Sequence, residues 1–178
     1  MELISSDGAQ LELRLEGYQL DAPDTPVPAD EEEDRDEWLV IRGRVRVADG
    51  PEWSFVQPCL TTEEAERLAV WLATVGAGET GLWPASPPYQ ALICFTEPNL
   101  AFSLERADAD RARVRVHLSH ESLPPWQPSH DWPDYHAYFV TLDVSTADLR
   151  TAAERWRIEH EPFPRRLPPG HLAGDSHG

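Results

Sequence analysis

The residues best suited to chemistry fall in two stretches of the second half of the chain. Glu97-Pro98-Asn99 follows directly on the apolar run Ala91-Leu92-Ile93-Cys94-Phe95, where a carboxylate and an amide need defined partners. A Pro98 turn in which Asn99 bonds its local backbone accounts for the pattern. The alternative is that Glu97 and Asn99 line a pocket or contact surface. His117, Ser119, His120 and Glu121 end a predicted strand, whose alternation sends His117, Ser119 and Glu121 to one face and His120 to the other.

Four chemistries use these groups. A metal centre would add His130, Asp131, Asp134 or His136, because imidazole and carboxylate suit zinc or iron, but the spacing matches no compact ligand motif. A hydrolase would set Ser119 or Ser122 beside His120, yet neither serine stands in a nucleophile elbow. An acid–base pair of Glu97 and Glu121 needs a working separation that spacing alone does not supply. A pocket of Glu97, Asn99, His117 and Glu121 would take a small ligand. None carries a diagnostic motif and no cofactor or metal is implied, so the expectation is a binding protein and not an enzyme.

Two further features suit recognition. Trp126 and Trp132 lie among Pro124, Pro125, Pro128 and Pro133, and large aromatics on ordered loops anchor protein interfaces, although such a loop can also fold down over the core. Pro23, Pro26 and Pro28 lead into Asp30-Glu31-Glu32-Glu33-Asp34-Arg35-Asp36-Glu37. That run cannot bury apolar surface, so 22–37 is expected to be a flexible acidic insertion, either simply solvated or attractive to a basic partner. The candidate interface or pocket therefore comprises Glu97, Asn99, His117, His120, Glu121, Trp126, Trp132, Glu31, Glu32 and Glu33.

Charge points the same way. The 178 residues hold 32 acidic and 15 basic side chains, all of the latter arginine, for a net charge of −17. Such a surface repels nucleic acid and anionic lipid and speeds encounter with a basic protein, though solubility alone also accounts for it. The 40% hydrophobic residues arrive in strand-length runs, with no stretch long enough to span a bilayer. Met1-Glu2-Leu3-Ile4 lacks the basic start of a secretory signal, so a cytoplasmic location is expected. Cys59 and Cys94 sit in apolar contexts and are expected to be buried free thiols.

The elements that must position these residues read as alternating strands. Leu11, Leu13 and Leu15 alternate with Glu12, Arg14 and Glu16, and Gly17 shifts the phase as a bulge does. Leu39, Ile41, Val45 and Val47 oppose Arg42, Arg44 and Arg46, Asp49-Gly50 offers a turn, and Trp53 and Phe55 return. Thr61-Thr62-Glu63-Glu64 is a capping box opening a helix through Ala65, Leu68, Ala69, Leu72 and Val75, with Gly76 placed to end it. Ala91–Phe95 reads as a central strand because it is apolar throughout. Leu100, Phe102 and Leu104 pair across Asp108–Asp110 with Val114, Val116 and Leu118, leaving Arg113, Arg115 and His117 on the other face. Tyr138, Val140, Leu142 and Val144 form a last strand, and Ser145 caps a helix with Leu149, Ala152, Ala153 and Trp156 on one stripe. The fold class is α+β: a mostly antiparallel bent sheet or sandwich of about seven to nine strands with two packed helices, one domain over 1–161 and a disordered tail over 162–178.

Read in order, Met1–Ile4 to Gly17-Tyr18, Trp38-Leu39-Val40-Ile41-Arg42-Gly43, Cys59-Leu60-Thr61-Thr62, Phe95-Thr96-Glu97-Pro98-Asn99-Leu100 and His120-Glu121-Ser122 resemble the WapI-like bacterial immunity proteins over roughly residues 1–160. The acidic insertion and the tail are peculiar to this chain. The resemblance implies a cytosolic antidote to a contact-delivered toxin, with a protein partner for which a basic toxin domain is the expectation, and no catalytic machinery. A basic, nucleic-acid-cleaving toxin and an acidic antidote would be electrostatically complementary.

Overall fold

The computed structural model describes residues 1–20, 38–83, 85, 87–128 and 135–165. Its elements run β1 (Glu2–Ile4), β2 (Gln10–Tyr18), β3 (Trp38–Arg46), β4 (Glu52–Thr61), α1 (Thr62–Gly76), β5 (Gln90–Cys94), β6 (Leu100–Ala107), β7 (Arg111–Leu118), β8 (Phe139–Ser145) and α2 (Thr146–His160). Single 3-10 turns occupy Thr80–Leu82 and His120–Ser122. Strand order is β1-β2-β3-β4 in one sheet and β5-β6-β7-β8 in the other, with every pairing antiparallel. The described chain is thus two successive units, each a four-stranded meander followed at once by a helix. This is the α+β architecture of antiparallel strands and two helices that the hydrophobic periodicity predicts.

Period-two burial builds the inner faces. Leu11 and Leu13 of β2, Leu39, Ile41 and Val45 of β3, and Trp53 and Phe55 of β4 are buried, while Arg42 and Arg44 between them are exposed. Gly43 shares the inner face with Ile41 and Val45 because the ring of Phe55, its cross-strand partner, lies over it. A Cβ there would come within 2.1 Å of that ring. The bulge expected at Gly17 is present as a register shift between Leu15 and Gly17.

The sheets join at two places. At β1 and β8, the Ser6 amide donates to the Asp143 carbonyl at 3.0 Å, and the Asp143 amide donates to Ser5 Oγ at 2.9 Å. At β4, the Trp53 indole N–H donates to the Ser122 carbonyl at 3.0 Å. The helices run antiparallel: Trp156 Nε1 donates to the Ala65 carbonyl near the start of α1, and Arg150 donates to the Gly76 carbonyl at its end. Trp71 Nε1 donates to the Ala91 carbonyl at 2.7 Å. Buried indoles on β4, α1 and α2 each satisfy their one donor on a different element, so packing and hydrogen bonding fix the same arrangement. Leucines, valines and tryptophans of both sheets and both helices form one core cluster.

Both helix starts follow the expected chemistry. Thr61 Oγ1 accepts the Glu64 amide while Glu64 Oε2 accepts the Thr61 amide, and Ser145 Oγ accepts the Asp148 amide. Glu64 goes further, because its Oε1 accepts both the amide and the hydroxyl of Thr96, 2.7 and 2.8 Å away. One buried carboxylate therefore ties the first turn of α1 to the exit of β5.

Gly76 ends α1 as expected, as its last helical residue and buried against α2. Gly78, at φ +77°, takes the left-handed position, with Gly78 N–H donating to Val75 O and Glu79 N–H to Thr74 O. Two other expectations are corrected. Ala91–Cys94 is an edge strand paired only with β6, not a central one, and its burial alternates. An all-apolar run does not reveal which of its residues face outward, and Leu92 and Cys94 do. Cys94 is accordingly exposed, whereas Cys59 is buried as expected. Of the predicted tail, Phe163 packs edge-on against Tyr18, whose hydroxyl donates to the Pro164 carbonyl; 166–178 lies outside the described residues.

Candidate functional site

The sequence candidates separate into two groups in space. The first surrounds the end of β4. Asn99 is buried and donates from Nδ2 to Glu121 Oε2 at 3.3 Å, Ser119 Oγ donates to the Pro98 carbonyl, and the Ser119 amide donates to the Asn99 carbonyl. Asn99 and Ser122 also lie against the Cys59 thiol, which burial pushes up to about 12; their hydrogen bonds oppose the rise, while the nearby charges of Glu97 and Glu121 add to it. Both carboxylates therefore stand close to one buried sulfur, exposed to solvent themselves and, among the described residues, without an arginine partner.

That isolation matters because most arginines of the sheets are already consumed. Arg42 pairs with Glu16, Arg44 with Glu52, Arg115 with Glu105, and Arg106, Arg111 and Arg113 with Asp143. Exposed pairs of this kind contribute little stability, but they cancel local charge. The surplus negative charge surfaces where no arginine answers it, and the Glu97–Glu121 corner is such a place.

Trp126 belongs to the same neighbourhood. It is 51% exposed and its ring meets Trp53 edge-on at 5.6 Å, with Trp53 in turn contacting Tyr138 at 6.2 Å and held by its bond to Ser122. The indole is thus braced on a buried indole while offering half its surface to solvent. His120, at φ +50°, sets its ring against that of Tyr135 at 4.9 Å, tilted by 55°. Trp132, Glu31, Glu32 and Glu33 lie outside the described residues, as do His130, Asp131 and Asp134.

His117 forms the second group. Strand β7 ends at Leu118 and the chain enters the 3-10 turn at His120, so the alternation that would put His117 and Glu121 on one side does not continue that far. His117 is 1% exposed: Nδ1 donates to the His136 carbonyl at 2.9 Å, which leaves Nε2 to accept from Ser103 Oγ at 2.7 Å. The Tyr89, His136 and Phe139 rings enclose it, at 4.7, 5.4 and 5.4 Å. Burial, the largest cause, lowers its pKa to about 4, so it is neutral at physiological pH.

Ser103 was not among the sequence candidates, yet a serine hydrogen-bonded to an oriented neutral imidazole is nucleophile–base geometry. Here Ser103 is 0% exposed, and a substrate has no path to its oxygen. The pair holds β6 and β7 to the segment that covers them. The signal that would have found it is register: His117 pairs with Ala101, two residues from Ser103, but an irregularity between Leu104 and Arg106 hides that count from the turn. Among the described residues no three His, Cys, Asp or Glu side chains gather as a metal site would require, and no helix is long and apolar enough to cross a membrane.

What the first group can do is bind. It offers a braced aromatic, two unanswered carboxylates, and an amide that orients one of them. The sequence model of the immunity protein WapI-like family matches residues 2–164, nearly the whole chain. No curated protein matches the chain.

Proposed function

The chain belongs to the immunity protein WapI-like family, and we propose that it acts in the cytoplasm as the antidote of a cognate toxin, binding a basic face of that toxin through the corner formed by Trp126, Glu97 and Glu121. The single observation that carries this reading is Trp126, half exposed yet fixed edge-on against Trp53 beside the Glu121 turn. An aromatic already held in place loses little entropy on binding, which is the usual character of an interface anchor. The flanking carboxylates add complementarity to lysines and arginines and accelerate encounter. The acidic stretch around Glu31, Glu32 and Glu33 adds attraction of the same sign. Such a role requires no chemistry from the chain, and protein, not nucleic acid or lipid, is the partner its charge favours.

The test looks beside this gene for a reading frame that encodes a toxin-like protein and takes that protein as the partner. The full chain is expected to bind it and to protect cells expressing it, with affinity falling as salt rises. Trp126→Ala should weaken binding by about thirtyfold or more, corresponding to the loss of roughly 2 kcal/mol or more expected for an anchor. Glu97→Gln with Glu121→Gln should slow association more than it speeds dissociation. A chain that neither binds nor protects, or binds unchanged with Trp126→Ala, defeats the reading.

A further inference from the structure

The two helices enclose a second feature that this surface does not use. Between them lies an open groove of about 510 Å³ lined by Glu66 and Ala69 of α1 and by Glu154, Arg157, Ile158, His160 and Glu161 at the end of α2. The i, i+3 and i, i+4 spacings put these residues on facing stripes. Arg157 is taken by Glu154 at 3.1 Å, whereas Glu66 and Glu161 have no arginine partner among the described residues. Glu161 sits at the carboxyl end of α2, where the helix dipole disfavours an anion, so it is not there to stabilise the helix. Ile158, 60% exposed, supplies an apolar wall.

His160 stands behind these groups, its Nε2 buried away from solvent and without a hydrogen-bond partner. Burial lowers the pKa of the imidazole, so it adds no positive charge at neutral pH. Apart from the Arg157 that Glu154 occupies, the accessible lining presents two exposed carboxylates, Glu66 and Glu161, beside an apolar wall. The chain leaving α2 does not fill the groove in its described part, because Phe163 and Pro164 are tied to Tyr18 of β2.

We propose that this groove receives an arginine or lysine side chain of a protein partner, the stem lying along Ile158 and the cationic head bonding Glu66 and Glu161. The inference rests on the proposed function only for the identity of that partner, the toxin; the site itself stands on the groove. A cation with a long apolar stem is the one side-chain type that satisfies both halves of the lining.

The experiment titrates the full chain with N-acetyl-arginine amide and, separately, with its neutral isostere N-acetyl-citrulline amide, following backbone amides by NMR. The expected result is saturable millimolar binding of the arginine compound, centred on Glu66, Ala69, Ile158 and Glu161, with the citrulline compound at least about tenfold weaker. Glu66→Gln with Glu161→Gln should weaken it about fivefold or more. Equal response to both compounds, a response that never saturates, or binding unchanged in the double variant overturns the proposal. Trp126→Ala leaves this binding intact, so failure of the toxin interface and failure of the groove are told apart.

Discussion

Cys59 and Cys94 both sit in apolar strand sequences, yet their surroundings are opposite. Cys59 is enclosed at the junction of the sheets and its thiol is pushed up to about 12, whereas Cys94 faces out from the edge strand β5. Thiolate is the reacting form, so native protein should titrate one thiol per chain with an aromatic disulfide reagent, and protein in guanidinium should titrate both. Mass mapping should place the native label on Cys94; rapid native labelling of Cys59 contradicts the packing described here. The same scale explains the site residues. Glu97, Asn99 and Glu121 were legible as candidates because polar groups beside apolar runs need partners, but that the partner of Asn99 is Glu121, and that of His117 is Ser103, depends on register that composition does not contain.

Helices and strands carry more of their instructions locally. The capping box at Thr61 and the alternation of β2, β3, β6 and β7 are readable because they depend on residues a few positions apart. Glu64 shows where local reading stops, since its second oxygen serves Thr96, thirty-two residues away. Thr61→Ala should cost about 1 kcal/mol, the ordinary value of a helix cap. Glu64→Ala should cost about 1–2 kcal/mol more, because it also removes the two charge-assisted hydrogen bonds to Thr96. Urea denaturation of the two variants measures the difference, and equal costs would mean the tie to Thr96 contributes nothing. Edge position is likewise non-local: β5 is an edge because the chain pairs it with β6 alone, and no property of Gln90–Cys94 dictates that.

For the molecule as a whole, acid should weaken the fold before its carboxylates titrate. The folded His117 has a pKa near 4 against an ordinary 6.5, and burial shifts His136 and His160 in the same direction. Because the folded pKa is the lower one, the contribution of neutral His117 is complete above pH 6.5 and is lost as pH falls from 6.5 to about 4. A shift of this size is worth roughly 3 kcal/mol. Asp143, which hydrogen bonds from Arg111 and Arg113 hold below its ordinary 3.8, loses its share only at still lower pH. Urea midpoints across pH 4 to 7 should therefore fall more steeply for the wild type than for His117→Phe with Ser103→Ala, which removes the titrating group and its partner together. Parallel profiles would show that His117 titrates normally in the folded chain. Comparing the two proteins also cancels the relief of charge repulsion that acid brings to a chain of net charge −17.

By itself the sequence determined the class of fold, the alternating faces, both helix starts, the acidic balance and the family resemblance, since each follows from residue type, short-range spacing or order along the chain. Tertiary structure alone decided that β5 is an edge, that Ser103 meets His117 out of reach of solvent, that Trp126 is braced on Trp53, and that α1 and α2 leave an acidic groove between them. The physical reason is distance along the chain: caps and alternation are satisfied within a turn or a strand pair, whereas these arrangements join segments whose meeting is set by the packing of one shared core.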